Sequence, residues 1–158
     1  MKLVVADAGS LIGLASISRL YILRRLYQSV TIPRKVFDEI TATGEKPGAK
    51  AVSESVVSGW TKLVRVKRGN LANSLSLLVD AGEAEAIQLA MEQNADMLLI
   101  DDRKGRSIAK KRGIKVVGTG GVLINAKKAG LLEKRIVGFK RIAKRGISFV
   151  VWPDSEDS

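Results

Sequence analysis

The chain has 158 residues, enough for one domain with a full hydrophobic core. It contains no cysteine and no histidine, which excludes disulfides, thiolate chemistry and any mechanism that needs an imidazole base. Its 27 basic and 16 acidic residues give a formal charge of +11, which favours a polyanion such as nucleic acid as the partner. A lysine-rich surface that only keeps the protein soluble is the alternative.

The sequence carries no sign of a membrane or an export signal. No apolar run is long enough to span a bilayer, and the N-terminus lacks the regions of a signal peptide. We therefore expect a cytoplasmic protein with no membrane contact. We also expect a single domain over residues 1–158, with a mobile acidic tail at 154–158.

The first predicted elements are an apolar strand over residues 2–6 and one long helix over residues 11–27. Asp7 lies at the junction between them, where its side chain is free of the strand ladder. Asp7 or Ser10 could serve only as a helix cap, worth about 1 kcal/mol. The pattern leaves the cap and a functional role equally open.

The second predicted strand covers residues 29–32, and Pro33 suits the first position of a helix that runs to about Thr43. Glu39 borders the apolar stripe of that helix, whereas Asp38 is turned away from it. A partly exposed glutamate whose stem packs on the core is the alternative for Glu39. A loop over 43–50, a helix over 49–60 and an edge strand over 63–66 follow.

The next predicted helix covers residues 81–93. Asp80 and Glu83 have the spacing of a capping box, which is a purely structural interpretation. Glu83 also shares the apolar face of this helix, whereas Glu85 aligns with Gln88 on the polar face. If one of the two glutamates points toward the sheet, the pattern indicates Glu83.

An apolar strand over residues 97–100 ends in two adjacent acids, Asp101 and Asp102. It shows no polar alternation, which is typical of a central parallel strand covered on both faces. The two acids point to opposite sides of an extended chain. Asp101 is favoured because it is the first residue past the apolar run, and Asp102 stays open. A basic helix over 103–112 follows.

The last part of the chain contains a strand over 114–117 and a glycine turn over 118–121 that opens a helix over 122–128. A tight strand-to-helix connection is favoured for this turn over a phosphate-binding loop. Beyond it lie a basic amphipathic helix over 131–144 and an apolar run over 147–151. These two segments could close a dimer, add an edge strand or bind a partner.

The alternation of strands and helices predicts an α/β fold: a three-layer α/β/α sandwich with a mainly parallel central sheet of about five strands. In such a sheet the strand ends and the starts of the following helices share one edge, which would bring together Asp7, Glu39, Glu83 and Asp101. A cluster of carboxylates repels itself unless cations neutralise it. Oxygen-only ligands are those that Mg²⁺ or Mn²⁺ prefers.

Four stretches of the sequence carry a resemblance to a known family. They are VVADAGSLIGLASI from Val4, IPRKVFDEI from Ile32, DAGEAEAIQLA from Asp80 and LLIDDRKGRSIAKKRGIKVVGTGGVL from Leu98. In this order they resemble the PIN-domain ribonucleases, which include VapC-type toxins, and most closely an uncharacterised prokaryotic PIN-like branch. The chain departs from the toxins in having a glutamate as the third acid and Gly9 where many relatives carry a hydroxyl.

The resemblance implies a metal-dependent endoribonuclease that cleaves single-stranded RNA with Mg²⁺ or Mn²⁺. Its catalytic acids fall on Asp7, Glu39, Glu83 and Asp101, and Asp102 is a further candidate metal ligand. We expect the RNA to contact Ser10, Arg103, Lys104 and Arg106. The resemblance also implies a homodimer and, for a toxin, a small antitoxin partner.

Two other hypotheses stay open. The first is a catalytically weak or silent PIN-like module that binds RNA or a protein through its basic surface, with the acids as caps and salt-bridge partners. The second is a phosphoryl-accepting receiver domain, which also has acids at strand ends. It ranks lower because Asp7 lies too early in the chain and the helix position of Glu39 is unexplained.

Overall fold

A computed structural model of the chain describes residues 2–42, 48–67 and 69–132. Its centre is a sheet of five parallel strands in the order β3-β2-β1-β4-β5. The strands are β1 (Val4–Ala6), β2 (Val30–Pro33), β3 (Thr61–Val64), β4 (Met97–Leu99) and β5 (Val116–Val117). The predicted parallel sheet of about five strands is confirmed, and β3 lies at its edge as expected.

Eight helices are present in the described ranges. They are α1 (Ala8–Ser16), α2 (Ile22–Tyr27), α3 (Arg34–Thr41), α4 (Ala49–Val57), α5 (Asn70–Leu75), α6 (Ala81–Glu92), α7 (Arg103–Lys111) and α8 (Thr119–Lys128). None of the helices in these ranges is long and apolar enough to cross a membrane.

The helices cover both faces of the sheet, and the strands divide their side chains between two cores. Val4 and Ala6 belong to one buried cluster, whereas Val5 between them belongs to the other. Side chains alternate in the same way along β4. The first core contains residues of α1, α2, α3, α4 and α8, and the second contains residues of α5, α6 and α7. The predicted three-layer α/β/α sandwich is therefore confirmed.

The strand order places the functional edge between β1 and β4. The chain builds β1, β2 and β3 outward in one direction and then returns to add β4 and β5 on the other side of β1. In open α/β sheets, ligands bind at the carboxyl ends of the strands where the order reverses. Asp7 follows β1, and Asp101 lies two residues past the end of β4.

The single helix predicted over residues 11–27 is wrong, because the structure contains two. α1 ends at Ser16, whose hydroxyl donates a hydrogen bond to the carbonyl of Gly13 at 2.7 Å. Ser18 then adopts a left-handed conformation with φ of 57°, which a continuing helix does not allow. Apolar spacing runs through this break because α1 and α2 pack on the same core.

Other boundaries differ by a few residues. Pro33 is the last residue of β2 and caps α3 in an extended conformation, whereas the sequence predicted it inside the helix. The glycine turn at 118–121 is mostly the first turn of α8, which begins at Thr119. Most of the predicted helix over 131–144, the apolar run over 147–151 and the tail at 154–158 lie outside the described residues.

Candidate functional site

Asp7 is fixed between the two central strands. Its backbone N–H donates a hydrogen bond to the carbonyl of Leu99 at 3.0 Å, and its carboxylate accepts one from the N–H of Ser10 at 3.0 Å. The residue is only 2% exposed. Asp7 is therefore the N-cap of α1, and it is also a buried acid at the switch between β1 and β4.

The pKa of Asp7 is raised from 3.8 to about 7, chiefly by burial. The negative charges of Asp101 and Asp80 contribute to this rise, while the amide and the hydroxyl of Ser10 oppose it. An ordinary helix-capping aspartate loses its proton at a pH well below 7. Among residues 2–42, 48–67 and 69–132, no basic side chain forms an ion pair with the Asp7 carboxylate, although a buried charge requires such a partner.

Glu83 lies in the first turn of α6, and its N–H donates to Asp80 Oδ1 at 2.8 Å. This confirms Asp80 as the predicted helix cap. The pKa of Glu83 is raised to about 9 by burial and by a hydrogen bond to Asp80 that favours its protonated form. The charges of Asp80, Asp102 and Asp7 add to this rise, so Glu83 faces the same edge as Asp7.

The carboxylate of Glu39 reaches α6 because α3 packs against that helix. It lies so close to Gly82 that a Cβ there would be 2.5 Å from Oε2 and 2.9 Å from Oε1. Only glycine leaves this room in the first turn of α6. The structure thereby places Glu39 beside the residue that precedes Glu83.

The adjacent aspartates Asp101 and Asp102 have different partners. Asp101 accepts two hydrogen bonds from Thr119 at the start of α8, from the N–H at 2.7 Å and from the hydroxyl at 2.5 Å. Asp102 caps α7 by accepting the N–H of Gly105 at 2.7 Å. The charge of Asp101 acts on Asp7 and that of Asp102 on Glu83, so both aspartates stay candidate ligands.

Ser10 is fully buried in the first turn of α1, three residues after Asp7. Its hydroxyl makes no hydrogen bond of standard geometry among the described residues, but it lies near enough to the Asp7 carboxylate to lower the pKa of that acid. A hydroxyl oxygen is thus placed beside the buried carboxylate.

We call the set Asp7, Glu39, Asp80, Glu83, Asp101 and Asp102 the acidic edge. As they stand, no three acids in the described ranges form a group that could hold a metal ion together. The donor chemistry nevertheless fits a hard divalent cation, because it consists of carboxylate oxygens and the buried Ser10 hydroxyl. The raised pKa values of Asp7 and Glu83 mark where a cation would replace protons.

Two basic residues of α7 line two different grooves beside the acidic edge. Lys104 lines a groove of about 440 Å³ together with Asp80, Glu83 and Asp102, which we call the Lys104 groove. Arg106 lines a groove of about 560 Å³ beside Asp101, the Arg106 groove. Arg103 is exposed. Of the four residues predicted to bind RNA, Lys104 and Arg106 thus line different grooves, Arg103 lines neither, and Ser10 is buried in α1.

The expectation that Glu85 lies on an exposed polar face is wrong, since the residue is only 8% exposed. α5 covers that face of α6, and the side chain of Gln88 satisfies its backbone. Gln88 Oε1 accepts the N–H of Ala72 at 3.1 Å, and its Nε2 donates to the carbonyl of Lys67 at 2.8 Å. Asp38 is exposed, as expected, and pairs with Arg34 at 3.2 Å.

Sequence reasoning missed Thr119 as a residue of the site. Its side chain is completely buried, and it holds Asp101 through both the backbone and the hydroxyl. The sequence offered one signal, a hydroxyl residue at the junction of a strand and a helix inside the glycine turn. That signal alone does not reveal which carboxylate the hydroxyl meets.

The fold has counterparts among solved structures. A PilT N-terminus domain protein from the hyperthermophilic archaeon Sulfolobus solfataricus P2 aligns with a TM-score of 0.54 and 18% identity, covering 78% of this chain and 92% of that one. A domain of a functionally unknown protein from Methanocaldococcus jannaschii aligns with a TM-score of 0.49 and 22% identity, covering 75% and 91%. The likeness to the first of these structures concerns the fold alone. No curated protein matches this chain.

The sequence itself matches a family profile described as "PIN domain" over residues 3–149. This range contains the acidic edge and both flanking grooves. PIN domains are generally nucleases, and they typically use divalent metals. The chain therefore belongs to the PIN-domain family.

Proposed function

We propose that the protein is a divalent-metal-dependent endoribonuclease that cleaves single-stranded RNA at the acidic edge. The observation that carries the proposal is the buried Asp7, which lies at the switch between β1 and β4 and whose pKa is raised to about 7. A carboxylate buried at a strand switch without a positive partner is costly to the fold. Such strained titratable groups cluster at functional sites.

The cation in this proposal is Mg²⁺ or Mn²⁺, held by Asp7, Glu39, Glu83 and Asp101, with Asp102 as an alternative ligand. When bound, a divalent cation lowers the pKa of a coordinated water and offsets the charge that develops at phosphorus. The chain's own part is to hold its carboxylates in place. Thr119 orients Asp101, and the close approach to Gly82 positions Glu39.

RNA is the preferred polyanion because the chain carries an excess of positive charge, and both grooves beside the acidic edge contain a basic side chain. Lys104 and Arg106 would bind phosphates on the two sides of the acids. Phosphate contacts of this kind fix the register of a strand without reading its bases. A single strand rather than a duplex is the substrate that the resemblance to the family implies.

Incubation of the protein with labelled single-stranded RNA, with Mn²⁺ or with EDTA, tests the proposal. We expect cleavage with Mn²⁺ only, and a loss of cleavage in Asp7→Asn. Asp38→Asn is the matched control, because it makes the same charge change at an exposed acid paired with Arg34. RNA that stays equally intact with Mn²⁺ and with EDTA, in wild type and Asp7→Asn alike, contradicts the proposal.

A catalytically silent RNA-binding module is the second candidate, and the partners of the acids support it. Asp80 and Asp102 serve as helix caps, and Asp101 is engaged by Thr119. The effect of Mn²⁺ on thermal unfolding separates the two, since a ligand that binds only the folded state raises its stability. A metal site predicts a rise that Asp7→Asn abolishes, and caps predict no change.

Three further properties stay predictions. The homodimer and the small antitoxin partner are implied by the resemblance, and the cytoplasmic location is an expectation from the sequence.

A further inference from the structure

The Arg106 groove lies between β5 and α8, next to the carboxylate of Asp101. Its volume of about 560 Å³ is within the range of sites that hold small organic ligands. It differs from the Lys104 groove in composition. The Arg106 groove combines two cations, a carboxamide and an apolar wall, whereas three acids line the Lys104 groove.

We infer that the Arg106 groove binds the nucleotide next to the cleaved phosphodiester, and that Asn125 selects its base. The inference rests on the proposed ribonuclease function. It adds a specificity-determining residue and a place for the substrate beside the acids.

The cations of the groove suit the phosphate of such a nucleotide. Arg106 is half-buried, and its Nη1 donates to the carbonyl of Ile100 at 3.2 Å, which holds the guanidinium in the wall. A Cβ on Gly118 would lie 2.6 Å from that nitrogen and 2.8 Å from Asp101 Oδ1. The guanidinium and the carboxylate thus both border Gly118, so a phosphate on Arg106 would lie beside the acidic edge. Lys115 supplies a second, exposed cation.

The other wall of the groove suits a base. Val117 and Ile124 are half-buried and present apolar surface to the groove. Gly121 keeps that surface open, because a Cβ there would lie 2.9 Å from Val117 Cγ1. Asn125, on α8 one residue after Ile124, carries a carboxamide that both donates and accepts hydrogen bonds. An unstacked base in the groove would lie against this apolar wall, and its edge would form hydrogen bonds with the Asn125 carboxamide.

RNA binding without cleavage tests the inference. The parent protein in this experiment carries Asp7→Asn, and every other variant is made in that background. It is titrated into fluorescent single-stranded decamers of A, of C and of U, and fluorescence anisotropy gives each Kd at several salt concentrations. Two variants alter the groove, Lys115→Ala and Asn125→Ala. Lys111→Ala and Asn73→Ala are matched controls at exposed positions that do not line it.

We expect the parent to prefer one decamer by about fivefold or more, and Asn125→Ala to reduce this preference to less than about twofold. We expect Lys115→Ala to weaken the binding of all three decamers and to reduce the slope of log Kd against log salt by roughly 0.7. The controls should match the parent. A preference that Asn125→Ala leaves intact, or equal effects of Lys115→Ala and Lys111→Ala, overturns the inference, as does an absence of binding.

The inference and the proposed function fail separately. If the wild type leaves RNA intact with Mn²⁺ but the groove variants change RNA binding, the inference about the groove is supported and the nuclease proposal is rejected. If the wild type cleaves RNA and the groove variants bind RNA as the parent does, the nuclease proposal is supported and the inference about the groove is rejected.

Discussion

Replacing Asp7 with asparagine should change stability in opposite directions at low and high pH. The folded protein holds the proton of Asp7 up to about pH 7, whereas an unfolded chain releases it near pH 3.8. The folded state therefore binds more protons between these values, and the free energy of unfolding of the wild type falls as pH rises through this window. Below about pH 4 Asp7 is protonated in both states, so its ionisation has no effect there.

The size of the effect follows from the shift. A rise of about three pKa units, at about 1.4 kcal/mol each, corresponds to about 4 kcal/mol of destabilisation once Asp7 is ionised. Asparagine keeps an oxygen that can accept the N–H of Ser10, but it adds a buried NH₂ group that costs about 1–3 kcal/mol if unpaired. In EDTA at pH 8 we expect Asp7→Asn to be more stable by about 2 kcal/mol, which for a chain of this size is about 4–8 °C in Tm.

Thermal and urea unfolding at pH 4 and pH 8 in EDTA measure this difference, with Asp38→Asn as the control for the charge change. At pH 4 the asparagine variant should be no more stable than the wild type. Addition of Mn²⁺ at pH 8 should stabilise the wild type and leave Asp7→Asn unchanged. The reasoning is refuted if Asp7→Asn is less stable than the wild type by the same amount at both pH values, because the aspartate would then ionise without a penalty.

Three further substitutions test other contacts of the site. Gly82→Ala should keep the fold but displace Glu39, and lower the affinity for Mn²⁺ by roughly tenfold in calorimetry; an unchanged affinity argues against Glu39 as a ligand. Thr119→Val should destabilise the protein by about 1–3 kcal/mol and reduce cleavage, whereas Thr119→Ser retains the hydroxyl for Asp101 and both properties. Gln88→Leu should cost about 1–3 kcal/mol and increase amide exchange in α5 without affecting Mn²⁺ binding; full protection of α5 would show that the carboxamide is dispensable.

The strands and helices that position the site could be predicted where the local spacing of apolar residues matches the secondary structure that the fold adopts. Asp7 and Asp101 were placed by the ends of apolar strands, and Glu83 by its position on the face of α6. Parallel strands share an edge whatever the details of the loops, so the prediction that their acids approach one edge needed only the strand assignments.

The parts that could not be predicted depend on contacts between distant segments. Glu85 lies on a face that is polar by pattern, but α5 covers it and Gln88 satisfies the covering backbone. Thr119 becomes part of the site only because α8 begins beside the end of β4. The apolar residues also keep helical spacing across Ser18. This spacing contains no signal of the left-handed conformation that Ser18 adopts between α1 and α2.

The central claim is that the acidic edge binds a divalent cation, and anomalous diffraction from crystals grown with Mn²⁺ tests it most directly. The account predicts one or two ions within about 2.6 Å of carboxylate oxygens of Asp7 and of at least one of Glu39, Glu83 and Asp101. Crystals at saturating Mn²⁺ and pH 8 that show no ion there, with Asp101 still bonded to Thr119, would contradict it.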